Sequence, residues 1–137
     1  MTDNLERQGL IKKLPIDQKK IQDSCDLARR DIKTARSMLA SDYDWAYTIA
    51  YNAILQAGRA LMFSKGYRPD GANQHISVVK FTERYLDKND TIIFDRMRRK
   101  RNSTVYETAG AITESEAEFA VGQAEILVRK IEECISP

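Results

Sequence analysis

Five of the six residues from Arg96 to Arg101 are cations, and the run leads directly into Asn102-Ser103-Thr104-Val105-Tyr106. A guanidinium can clamp a phosphate through two parallel hydrogen bonds. Asn and Tyr can hydrogen-bond a phosphate oxygen or a ribose 2′-hydroxyl. On a helix successive side chains turn by about 100°, so the cations cannot all share one face. Arg98 and Arg101 are still neighbours, as are Arg96 and Arg99, and Arg96 and Lys100, and like charges so placed repel. That repulsion is offset if an anion or an acidic partner lies close by. If the helix continues, Asn102 and Tyr106 stand one turn apart beside Arg101. Arg101, Asn102 and Tyr106 are therefore the candidate core of a phosphate or ribose site, with Arg98 and Arg99 as auxiliary contacts. The competing structural roles are a solvated or internally neutralised basic face, an Arg101 that caps a helix end and a Tyr106 that packs.

Asn52, Gln56 and Arg59 recur at helical spacing among apolar residues. Buried polar groups need partners, so Asn52 and Gln56 either line a cleft with the basic site or satisfy backbone and each other. Tyr43, Tyr47 and Tyr51, with Trp45, could stack bases, although such a stripe more often belongs to a core or a subunit interface. His75 is the single histidine. Its bland role is local packing or capping at a helix start, and a catalytic role would require it to reach Arg101. Cys25 and Cys134 are isolated, and one His cannot complete a Cys/His zinc site, so neither a metal nor a cofactor is expected.

The elements that must position these groups read as helices. Asp17 is a good N-cap, and Ile21, Cys25, Ala28, Ile32, Ala35 and Leu39 follow at helical spacing, which predicts a helix over about 18–40. Ser41-Asp42 restarts the pattern. The next helix carries Trp45, Ile49, Ala53, Ala60 and Phe63 on one stripe and the three tyrosines on another, and it ends at Lys65-Gly66. Tyr67-Arg68-Pro69-Asp70-Gly71 reads as a loop. A third helix over about 73–87 buries Ile76, Val79 and Phe81 or Tyr85. A fourth starts near Thr91, points Ile92, Ile93 and Met97 inward, and runs into the basic stretch. Thr113-Glu114-Ser115-Glu116 is a capping box. It opens a last helix over about 114–135, with Ala117, Ala120 or Val121, Ala124, Leu127 or Val128, Ile131 and Ile135 inward. No stretch alternates as a strand does. The expectation is an all-α, up-and-down bundle of four to five helices. It forms one domain over residues 1–137 with its core at about 17–135, residues 1–16 being a short N-terminal helix or arm.

With 137 residues, 42% hydrophobic and 31% charged, the chain can bury a core without metals or disulfides. A net charge of +2 does not announce a nucleic-acid binder. Its distribution is more telling. Residues 96–112 hold five cations and one acid, whereas residues 113–137 hold two cations and six acids. Glu114, Glu116 and Glu118 could thus neutralise the basic run from within. No signal peptide and no membrane-length apolar run is visible, and two scattered cysteines suit free thiols in a reducing compartment. The expected location is cytoplasmic.

At the basic run the chain resembles the HEPN domains, α-helical bundles with a polar motif R-x(4–6)-H, often R-N-x-x-x-H. Here the motif reads Arg101-Asn102-Ser103-Thr104-Val105-Tyr106, with Tyr in place of His. Residues 47–69 resemble the family's alanine-rich second helix and its K-G-x-x-P turn, and Gln74-His75-Ile76 resembles its histidine at the start of the next helix. The likeness spans about residues 17–135. It implies a homodimer whose two motifs face each other across a cleft. It also implies a metal-independent endoribonuclease, often a toxin paired with a nucleotidyltransferase-like antitoxin, or a member that has lost catalysis and binds RNA or nucleotide. Arg101 would hold the scissile phosphate, and Asn102 would orient the motif or contact the ribose. The departure at Tyr106 weakens the catalytic expectation. A base for the 2′-hydroxyl should titrate near neutrality, and Tyr, near pKa 10, does not. The alternative is a non-catalytic module whose basic run docks an acidic or nucleotidyltransferase-like protein.

Overall fold

In the computed structural model, residues 2–106 and 110–135 are described, with side chains for residues 4–102 and 110–135. Among them are α1 (Thr2–Arg7), β1 (Ile11–Lys13), α2 (Gln18–Met38), α3 (Tyr43–Ser64), β2 (Tyr67–Pro69), α4 (Gln74–Thr82), α5 (Lys88–Tyr106) and α6 (Glu114–Ile135). The starts of the long helices follow from their caps. The Asp17 carboxylate accepts from the amides of Lys19 and Lys20, and that of Asp42 from Trp45. Thr113 and Glu116 exchange side chain–backbone hydrogen bonds of 3.0 and 3.1 Å, the expected capping box. Gly66, at φ 85°, turns the chain out of α3 in a conformation that a side chain would oppose.

Cross-helix pairs define the topology. Arg29 meets Glu132 and Arg36 meets Glu125, so α2 runs against α6. Asp44 accepts from the amides of Gly110 and Ile112, and Lys65 donates to the Cys134 carbonyl, so α3 runs with α6. Lys130 binds Asp90 at 2.7 Å and Lys100 faces Glu116 at 3.6 Å, so α5 runs against α6. The result is the expected all-α, up-and-down bundle, with α3 at its centre.

α3 is central because it is apolar nearly all round. Ala46, Ala50, Ala53, Ala57 and Ala60 are buried along with Tyr51, Ile54, Leu61 and Met62. The small residues let neighbours approach closely, most of all at Gly58, where a Cβ would stand 2.5 Å from Val78 Cγ1 and 3.3 Å from Thr82 Cγ2. This seats α4 directly on α3. From α6, Ala117, Ala120, Val121, Ala124, Leu127, Val128 and Ile131 fill the opposite side.

Several local expectations change. β1 and β2 form a two-stranded antiparallel ribbon pairing Ile11 with Pro69 and Lys13 with Tyr67, in place of the expected loop. Three residues per strand are too few for alternation to show. α4 stops at Thr82 rather than near 87, because the chain turns there with the Tyr85 and Leu86 amides both donating to the Thr82 carbonyl. Trp45 and Ile92, expected inward, are 54% and 45% exposed. Their neighbours Ala46, Tyr47 and Phe94 are buried, so Trp45 and Ile92 point away from the core face of their helices. Tyr47 and Tyr51 are core residues. Cys25 and Cys134 are free thiols.

Candidate phosphate-binding site

The bundle brings one end of the polar stripe of α3, the start of α4 and the end of α5 together. The Tyr51 hydroxyl and His75 Nδ1 lie 2.9 Å apart, and their rings are tilted by 39° at a centroid separation of 5.7 Å. Tyr51 is fully buried and also packs against Phe94 of α5. His75, in the first turn of α4 behind the Asn73 cap, is half-buried. Burial lowers the His75 pKa below its ordinary value, and the charges of Arg101, Arg59 and Arg98 push it in the same direction. Burial raises the Tyr51 phenol, against the pull of Arg101, Arg98 and Arg59. The same three guanidiniums, from α3 and α5, thus bear on both members of the pair.

Arg101 and Asn102 are half-buried, and Arg101 Nη1 donates to Asn102 Oδ1 at 3.3 Å. That contact joins the first two motif residues. Tyr106 closes α5, and its side chain lies outside the described residues, so its proposed role remains an expectation. Among the auxiliary cations, Arg98 Nε donates to Asp95 at 2.9 Å and Arg99 Nε to the same carboxylate at 3.0 Å. Burial draws the Asp95 carboxyl upward, but hydrogen bonds from Arg99 and Arg98, together with their charges, hold it below its ordinary value. Arg98 is sheltered and Arg99 reaches into solvent. Lys100 turns to Glu116. The basic run is therefore partly neutralised from within, by Asp95 on its own helix as well as by the acidic α6.

Two depressions adjoin the start of α4, one lined by Gln74 and the other by Ile76, and neither is lined by His75, Arg101 or Asn102. One, of about 350 Å³, is lined by Gln56, Arg59 and Gln74 together with Lys20 and Arg68. The other, of about 790 Å³, runs between α4 and α5 over Ile76, Val79 and Ile92, with Arg96, Arg98, Arg99 and Lys100 along one wall. Gln56 thus shares its depression with Lys20, Arg59 and Arg68, and no residue of the Arg96–Asn102 run lines it. Asn52 is half-buried and lines neither depression. Sequence reasoning leaves His75 open and reads Tyr51 as a base-stacking, core or interface residue, not as a partner of His75. The 24-residue separation of the two gives no local pattern, and the signals available are that the chain's single histidine stands at a helix start and that Gln74-His75-Ile76 resembles a family motif.

An all-α bundle with a tyrosine–histidine pair joining α3 to α4 and an Arg-Asn motif on the penultimate helix is a small helical domain with a polar interhelical site. The HEPN domain profile matches residues 21–134. The chain belongs to the HEPN domain family. The fold agrees: the crystal structure of TT1696 from Thermus thermophilus superposes with a TM-score of 0.67 at 22% identity, covering 84% of this chain and 98% of that one. The crystal structure of ST0689, described as an archaeal HEPN homologue, gives a TM-score of 0.69 at 17% identity and covers 85% of this chain and 98% of that one. A comparison with curated proteins found no match. No described helix is long and apolar enough to cross a membrane, and no cluster of metal-ligating side chains occurs among the described residues.

Proposed function

We propose that this HEPN domain binds RNA or nucleotide phosphate at the Arg101 site. Arg101 and Asn102 form the core, and Arg98 and Arg99 add phosphate contacts. The observation that carries this reading is the contact of Arg101 Nη1 with Asn102 Oδ1 on a half-buried stretch of α5 that also carries Arg98; the charges of Arg59, Arg98 and Arg101 are also felt at His75. Asp95 already compensates part of the charge on Arg98 and Arg99, and a bound anion would relieve the repulsion that remains among the cations of this region. In the full reading the chain is a homodimer with two such sites across a cleft. It acts as the toxin-like partner of a nucleotidyltransferase-like antitoxin, with weak or lost metal-independent endoribonuclease activity.

The test is incubation of labelled structured and unstructured RNA in EDTA with wild type, Arg101→Ala and Tyr106→His. Binding that weakens with salt and is lost in Arg101→Ala supports the phosphate site. Cleavage by wild type that Arg101→Ala abolishes adds a nuclease. Activity gained only with Tyr106→His marks a site whose chemistry has lapsed. RNA binding by none of the three overturns the proposal.

A second reading has its own observation. The groove between α4 and α5 has an apolar floor of Ile76, Val79 and Ile92 and a basic wall. That combination suits an acidic protein partner, which would bind whether or not Arg101 is present.

A further inference from the structure

We propose that His75 serves the phosphate site as a neutral hydrogen-bond donor, its Nε2–H presented to a bound RNA phosphodiester while the Tyr51 hydroxyl occupies Nδ1. This rests on the phosphate-binding reading above and assigns the site a residue outside the Arg-Asn motif. A buried hydroxyl must donate to an acceptor, and among the described residues the partner of the Tyr51 hydroxyl is His75 Nδ1, 2.9 Å away. If Tyr51 donates there, Nδ1 uses its lone pair and the ring proton sits on Nε2. Tyr51 is fully buried and His75 is half-buried, so part of the imidazole stays open beside the Nδ1 contact.

The surroundings favour the same form. Arg59, Arg98 and Arg101 all bear on the imidazole, and a fourth positive charge among them would be repelled. A neutral N–H adds a directional donor without adding charge, which complements guanidiniums that already supply the charge. This form cannot act as a base toward a 2′-hydroxyl, because Nε2 carries a proton and Nδ1 is engaged. The positioning residue is Tyr51, which selects the tautomer. The seat of α4 on Gly58 fixes the approach of the two rings.

The single histidine makes the test direct, since selective ¹⁵N labelling of the full chain reports one imidazole. At neutral pH the expected spectrum has a protonated Nε2 and a bare Nδ1, and adding a short mixed-sequence single-stranded RNA shifts the Nε2–H signal. Tyr51→Phe keeps the buried ring, and it should lose the tautomer preference and weaken RNA binding. His75→Ala should weaken binding by about tenfold, the scale of one hydrogen bond to a charged group. His75→Gln, which retains an amide donor, should recover part of that loss. An Nδ1–H tautomer or an imidazolium at neutral pH overturns the inference. So does RNA binding unchanged in His75→Ala while Arg101→Ala has lost it, an outcome that leaves the phosphate site standing. Wild-type binding that ignores both salt and Arg101→Ala overturns the phosphate site and this inference together.

Discussion

Replacing Asp95 with Asn should strengthen RNA binding, because the native carboxylate holds two of the proposed phosphate contacts. Arg98 and Arg99 both donate to it, at 2.9 and 3.0 Å. Neutralising it leaves both guanidiniums in place on α5 and removes their shared counter-charge. For single-stranded nucleic acid, each cation that engages a phosphate steepens the fall of log K with log salt by about 0.7. Two released guanidiniums steepen the slope by up to about 1.4, which corresponds to roughly 25-fold tighter binding at 0.1 M salt and vanishes toward 1 M. The same change removes one sheltered and one solvent-facing ion pair, a loss of about 1 kcal/mol of stability, mostly from Arg98. Fluorescence anisotropy of a labelled single-stranded RNA across a salt series, beside a thermal melt, reads both effects. Wild type that binds with clear salt dependence, and Asp95→Asn with the same slope and affinity, would refute the reasoning that Asp95 restrains these arginines.

Two further predictions concern the frame of the site. Gly58→Ala drives a Cβ to 2.5 Å from the branched Val78 side chain, so α4 must shift. The overpacking costs roughly 1–3 kcal/mol, against about 1 kcal/mol gained in helix propensity. A lowered Tm together with an altered His75 ring signal is expected, and a raised Tm with an unchanged signal would show that the α3–α4 seat is loose. The lowered His75 pKa also makes stability pH-dependent. The unfolded chain binds this proton more readily, so stability should be full above about pH 6.5 and fall as pH drops below it. Denaturant melts of wild type and His75→Gln between pH 7.5 and 5 should converge in slope only if this group is not responsible.

The parts of the fold legible in the sequence are those with local causes. Asp17 and the Thr113–Glu116 box cap helices through hydrogen bonds spanning two or three residues, and the apolar series of α6 buries the side chains that its spacing selects. Distant causes leave no such trace. The ribbon pairs Ile11 with Pro69, 58 residues apart in sequence, so neither strand carries its own signal. Trp45 matches the stripe of α3 by spacing but is exposed, while its neighbours Ala46 and Tyr47 are buried. The crowding of the basic run calls for a counter-charge, and the acidic last helix supplies part of it through Glu116. The closer source, Asp95, stands one turn before Arg98 and Arg99. The adjacency of Arg101 and Asn102 is plain from their order. The Tyr51–His75 pair is not, because it depends on how α4 settles against α3.

The chemistry of that pair bears on whether the proposed site cuts RNA or holds it. Metal-free cleavage needs a group near the phosphate that accepts a proton from the 2′-hydroxyl close to neutral pH. His75 would be the natural choice, but with Nδ1 against the Tyr51 hydroxyl and guanidiniums around the ring it favours a neutral donor form. Asp95 is held well ionised by two arginines, which makes it a weak base. Tyr47 is no better placed: burial and the Glu116 charge raise its phenol to about 12. Among the described side chains the site is thus rich in donors and poor in bases, a balance that favours retention of a phosphodiester over its hydrolysis. Converting Tyr106 to His supplies the missing proton acceptor at the motif's own position. On this reasoning that variant, not wild type, should show the greater cleavage in EDTA at neutral pH, with a rate that rises as the new imidazole loses its proton. A wild type that cleaves faster than Tyr106→His would mean that the base lies elsewhere and that the donor role assigned to His75 is wrong for the reacting state.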